Sequence, residues 1–264
     1  MIWWCSASGA PWSWEWRAYP GVWLFLALVG LGYWRSGRGA GPSRATGFFV
    51  AGMALLWVAL DWPLGALGGY LASAHTGQFI ILALAAPPLL LIGLASRLER
   101  VGDRWSAALR LLAHPLPAFA LYNLIMLVTH IPPLVDALMP SQLGSLAIDL
   151  AWIGGGLLLW WPAVAPPRFR RLTAPLRMGY LFIQTIPAIF PAAALVFADY
   201  PLYRLYELAP RVTPMLTPGY DHQVAGLLMK VVGDPVIWIG IAVIFFRWAN
   251  AARRADLAGQ RRAS

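Results

Sequence analysis

The twenty residues from Thr76 to Ala95 read TGQFIILALAAPPLLLIGLA, and none of them is charged. His75 stands immediately before this run, and Ser96-Arg97-Leu98-Glu99-Arg100 restores charge immediately after it. A helix needs about 20 mostly apolar residues to cross the roughly 30 Å hydrocarbon core of a bilayer. The run therefore has the length of a membrane span. Its Pro87-Pro88 pair is expected to kink the helix, because each proline removes a backbone donor.

Similar apolar runs lie on both sides of it, at 20–35, 46–62, 115–131, 144–162, 178–198 and 223–248. Together with 76–95 they predict an all-α protein, a bundle of seven transmembrane helices. Irregular backbone cannot face lipid, so each span should be helical, and the period-two alternation of a β-barrel is missing. Composition agrees. Of 264 residues, 59% are hydrophobic and 12% charged, against about 25% charged in soluble domains, and the mean hydropathy is +0.62. Fifteen tryptophans suit membrane–water interfaces. These figures exclude a soluble enzyme, a disordered chain and a disulfide scaffold. Cys5 is the single cysteine, which excludes an internal disulfide and a Cys-pair metal site. With no internal repeat and no low-complexity linker, 1–264 reads as one integral membrane domain. No basic segment and small-residue cleavage site precede the first polar stretch, so no cleaved signal peptide is expected.

The net charge of +9 comes from 20 basic and 11 acidic residues, and all the basic ones except Lys230 are arginine. Sixteen of the 20 fall after the first, third, fifth and seventh spans: Arg35, Arg38 and Arg44; Arg97, Arg100, Arg104 and Arg110; Arg168, Arg170, Arg171 and Arg177; and Arg247 through Arg262. Loops that retain Lys and Arg are cytoplasmic. The N-terminus is therefore expected outside and the C-terminus in the cytoplasm of a bacterial plasma (inner) membrane crossed several times. The arginine excess is a topology signal, and no nucleic-acid partner is expected.

Polar residues inside a membrane are costly and are functional candidates. His75, His130 and His222 all fall at span ends on the outer side. Imidazole suits copper, zinc or iron, and thioether sulfur favours Cu(I). Met229 lies seven residues, two helical turns, after His222 and so shares its face. A copper site of His75, His130, His222 and Met229 is one reading; the other is that each histidine satisfies local backbone at a helix end. Lys230 invites a Schiff base, or an ion pair with Asp234 four residues on. Asp149 and Gln184, with Asn123, read as residues that stitch helices together rather than do chemistry, and Gln78 and Asp221 are further polar residues inside the membrane.

Several motifs carry a family resemblance: Ser73-Ala74-His75-Thr76-Gly77-Gln78-Phe79 leading into Ala86-Pro87-Pro88-Leu89-Leu90; His114-Pro115; His130-Ile131-Pro132 followed by Asp136-Ala137-Leu138; Gly155-Gly156 ending in Trp160-Trp161-Pro162; and Asp221-His222-Gln223 with Gly226-Leu227-Leu228-Met229. In this order, over roughly residues 50–250, the chain resembles the multi-spanning CtaG-type cytochrome c oxidase assembly factors. The resemblance implies a non-catalytic membrane factor, not an enzyme. Its partners would be cytochrome c oxidase subunits in the lipid bilayer of the respiratory chain. It would assist copper-centre assembly or stay bound as an accessory subunit. The family's second histidine, four residues after the first, is Phe79 here; its histidine at the start of span five is replaced within Leu146-Ala147-Ile148-Asp149; and its tryptophan after the methionine of span seven is Lys230. Two other classes compete. A seven-helix retinal protein would use Lys230, but 76–95 carries no carboxylate as counter-ion. A small-solute or metal transporter would be expected to show inverted repeats.

Overall fold

The computed structural model describes residues 2–7, 9–37 and 43–263, apart from the side chains of 103–105 and 261–263. Arg38 and the side chains of Arg104, Arg261 and Arg262, counted above for topology, lie outside the described residues. Among these residues the chain is helical, with no strand. The principal helices are α1 (Pro20–Ser36), α2 (Arg44–Leu60), α3 (Ala72–Leu98), α4 (Pro115–Val128), α5 (Gln142–Val164), α6 (Ala174–Phe197) and α7 (Pro218–Gln260). By length and hydropathy α3, α5, α6 and α7 can each cross a membrane. A fifth span is reached if α4 is joined to Ser106–Leu112, which meets it at 72°. At 17 residues each, α1 and α2 are shorter.

Proline shapes three of these helices. Pro87 and Pro88 have no N–H to offer the carbonyls of Ala83 and Leu84. Just before them α3 widens into a π-helical segment, Ile80–Ala85, closed by Ala86 N–H donating to Ile81 O. α7 repeats the device, with a π segment at Met229–Gly233 directly ahead of Asp234-Pro235. The two widened segments face each other, and a Cβ at Gly233 would stand 3.4 Å from Leu84 Cδ1. In α6 the helix breaks around Pro187, where 185–188 form turns between two helical stretches.

Close packing uses small residues. A Cβ on Gly156 would lie 2.3 Å from Ala83 O, the carbonyl that Pro87 leaves without a helical donor. Gly226 of α7 sits equally tightly on α6, 2.6 Å from Ala192 O by the same measure. Without a hydrophobic drive between helices in lipid, such approaches and interhelical hydrogen bonds hold the bundle together.

The two ends of the bundle differ. At one end arginines bond to helix C-terminal carbonyls: Arg97 Nε to Tyr33 O at 3.2 Å, Arg168 Nη1 to Glu99 O at 2.8 Å, and Arg171 Nε to Arg110 O at 3.1 Å. Cations there complement the negative end of each helix dipole. At the other end the N-terminal segment is strapped across the helices. Trp3 N and Trp4 N donate to Gln142 Oε1 at 2.7 and 3.2 Å, Trp4 Nε1 to Asp149 Oδ2 at 2.8 Å, and Ala7 N to Met139 O at 3.0 Å. Asp149 thus anchors the strap.

Gly156→Ala is expected to destabilise the protein by about 1–3 kcal/mol, the usual cost of overpacking. Gly154, two residues away, has nothing within 4 Å of a Cβ, so Gly154→Ala should leave the thermal midpoint unchanged or slightly raised. Thermal unfolding of the two variants in one detergent checks the contrast.

Candidate functional site

Helix α3 begins without help from its own sequence. The residue before it, Leu71, makes no side-chain cap, so the first N–H groups of the helix need an outside acceptor. Asp221 supplies it from the first turn of α7. Its carboxylate accepts from Ala72 N at 2.6 Å and from Ser73 N at 3.1 Å, and the Ser73 hydroxyl donates to it as well. Asp221 is 2% exposed. A carboxylate at a helix N-terminus also meets the positive end of the dipole. The starts of α3 and α7 are thereby held level, which places His75, one turn into α3, at the depth of His222.

His222 uses both ring nitrogens. Nδ1 lies 2.7 Å from Pro218 O, an acceptor, and so carries the proton. Nε2 accepts from Tyr203 N at 3.3 Å. The Tyr203 ring stacks on the imidazole at 5.4 Å. His130, in the turn after α4, has Nδ1 2.7 Å from Met126 O, which fixes the same tautomer and leaves Nε2 with its lone pair.

His75 is different. Both of its ring nitrogens are buried with no hydrogen-bond partner. Gln78 approaches it, but the Gln78 amide is turned to Ala59 O at 2.9 Å and makes no bond of proper geometry to the imidazole. His75 and His130 line one cavity of about 10 Å³ together with Thr76, Thr129, Trp152 and Tyr206. That is on the order of the space needed by one water. Trp152 packs 4.6 Å from the His75 ring and is fixed by Nε1 donating to Thr129 Oγ1 at 2.9 Å. Phe79, where the second histidine was expected, packs edge-on to His130 at 5.0 Å, outside the cavity lining. The cover of the cavity is tied down at three points: Tyr203 OH donates to His130 O at 2.9 Å, Tyr206 OH to Gly68 O at 3.1 Å, and Asp136 caps Arg204–Leu208 through Leu205 N at 2.9 Å.

The predicted residues therefore divide. His75 and His130 meet at the cavity. His222 stands behind Tyr203 and Tyr206, and Met229 is buried in the π segment outside the cavity lining. Among the described residues no three His, Cys, Asp or Glu side chains form a group that could hold an ion. Lys230 pairs with Asp234 at 2.6 Å and donates to Thr185 O at 3.2 Å, the carbonyl where α6 breaks. Sequence reasoning missed the aromatic shell of Trp152, Tyr203 and Tyr206 and the role of Asp221 as a cap. The uncapped Leu71-Ala72 start of α3 was the one signal for the latter.

The family model described as cytochrome c oxidase caa3 assembly factor (Caa3_CtaG) matches residues 23–251 of the chain. No curated protein and no solved structure matches it.

Asp221→Ala should leave two buried N–H groups of α3 without an acceptor and cost about 1–3 kcal/mol. Asp221→Asn keeps one acceptor oxygen and should cost less. Thermal unfolding of both variants, compared with the parent chain, tests the ranking.

Proposed function

The chain belongs to the cytochrome c oxidase caa3 assembly factor family, and from that premise we propose that it is a non-catalytic factor that handles copper for the metal centre of a haem–copper oxidase. Copper here is cargo, received and passed on. Its ligands are His75 and His130; His222 acts as a positioning residue, through its hydrogen bond with Tyr203, whose hydroxyl in turn holds the His130 carbonyl. In this reading the chain spans a bacterial plasma membrane seven times, with the N-terminus outside and the C-terminus in the cytoplasm. Sixteen of its 20 basic residues then lie on the cytoplasmic side and the cavity on the outer one.

The observation that carries the proposal is the unpartnered imidazole of His75. A buried polar group without a partner costs on the order of 1–3 kcal/mol, and a fold retains such a group when something else binds it. Two neutral imidazoles suit Cu(I), and a soft, low-coordinate ion needs few ligands. The space fits one ion, and Trp152 packs against the His75 ring as one of its walls. The replacement of the family's second histidine by Phe79 leaves a two-histidine site, which suits brief holding better than storage.

Deletion of the gene should leave oxidase that accumulates with depleted copper and lowered activity. The intact chain should restore it, and the His75→Ala/His130→Ala variant should fail to do so while still reaching the membrane. Normal copper content in the oxidase of the deletion strain contradicts the copper role. Co-purification of the chain with oxidase at fixed stoichiometry in that case supports the accessory-subunit role instead.

A further inference from the structure

Three arginines converge where α5 ends, α6 begins and α7 leaves the bundle. Arg177 Nη1 donates to Ala163 O at 3.0 Å, and Arg170 Nη2 to Ala165 O at 3.3 Å. These carbonyls are two residues apart at the end of α5, so the two guanidinium groups are anchored side by side. The third arginine comes from α7. Gly240 of that helix packs on Trp160 of α5 and Leu181 of α6. Arg247 lies two turns further on, hence on the same face, and heads toward the level of Ala163 and Arg177. Arg177 feels the positive charges of both Arg170 and Arg247.

Such a cluster repels itself unless a counter-charge is supplied, and arginine does not shed its proton. None of the three has a carboxylate within ion-pair distance among the described residues. Arg177 Nε is buried and without a hydrogen-bond partner. Thr173, at the start of α6, makes no side-chain cap, so that helix end adds unpaired N–H groups to the same neighbourhood. Deeper along the groove between α6 and α7 the surface turns apolar. Phe182 and Trp238 are both exposed and touch across it, ring to ring at 5.7 Å.

We propose that Arg170, Arg177 and Arg247 bind the phosphate headgroup of an anionic phospholipid, with its acyl chains lying along the α6–α7 groove over Phe182 and Trp238. The charges sit at the last turn of α5 and the first turn of α6, which is headgroup depth, and the apolar contacts begin about two turns deeper. A free anion satisfies only the first half of this pattern. The positive-inside rule asks for arginines on this side of the membrane but not for their convergence on one point. The inference stands apart from the copper reading, because the site is at the opposite end of α5 and α6.

The test is native mass spectrometry of the full chain released from membranes that mix phosphatidylglycerol with phosphatidylcholine. Phosphatidylglycerol should be retained preferentially. Arg247 is exposed and makes no hydrogen bond among the described residues, so Arg247→Gln should fold normally and lower retention about fivefold, the effect of one interfacial arginine. Arg170→Gln/Arg247→Gln should lower it further while the thermal midpoint in pure phosphatidylcholine holds. Equal retention of the two lipids, or undiminished phosphatidylglycerol retention in the double variant, overturns the proposal. Displacement of the lipid by inorganic phosphate also overturns it, in favour of a free-anion site.

Discussion

The carboxylate of Asp221 against the first N–H groups of α3 is the contact on which the histidine-bearing half of the molecule depends. α3 starts at an apolar residue with no side chain to cap it, and in a membrane protein an uncapped helix end has little water to turn to. By accepting two backbone donors and the Ser73 hydroxyl, Asp221 fixes both the depth and the rotation of α3 relative to α7. His75 is then aimed inward, and its neighbour His222 is held where Pro218 O and Tyr203 N engage both of its nitrogens. A single acidic residue thereby separates an imidazole that is fully used from one that is free.

The same accounting of backbone groups explains features that look unrelated. Prolines in α3 and α7 release carbonyls, and the chain answers with π segments and with close contact from Gly156. The break in α6 frees Thr185 O, which receives the Lys230 ammonium while Asp234 balances its charge. At the opposite end arginine side chains bond to the carbonyls left over at helix C-termini. Several of the charged side chains are thus bound to backbone rather than to each other, and Lys230 with Asp234 forms an ion pair. Lys230 consequently has a structural employment that does not involve a Schiff base.

Much of the fold could be read from hydropathy, because a charge-free run of span length has few other uses. The apolar runs at 76–95, 144–162 and 223–248 all fall inside observed helices, and the irregularity expected at Pro87-Pro88 takes the form of a π segment just before the pair. The π segment ahead of Pro235 went unanticipated because the apolar run 223–248 reads straight through it. For the site, His75 and His130 were visible as polar residues at the ends of apolar runs. The pairing of His222 with Met229 rested on helical spacing alone, and neither residue is among those lining the cavity of His75 and His130. Spacing gives a shared face but not a shared depth, and two turns is about 11 Å. Trp152, Tyr203 and Tyr206 were hidden for another reason: tryptophan and tyrosine abound in this chain as interfacial residues, and nothing local separates three that wall a cavity from the rest. The arginines were read in sequence only for topology, while their use as carbonyl caps depends on which helix ends they meet in three dimensions.

The central claim is that the free imidazole of His75, with His130 beside it, is a binding site for a single copper ion. Cu(I) titration of the purified full chain against a chromophoric chelator tests it most directly. The account predicts one equivalent of Cu(I) taken from the chelator, and none by His75→Ala/His130→Ala that still unfolds cooperatively. Failure of the parent chain to take up Cu(I), or unchanged uptake by the double variant, would contradict it.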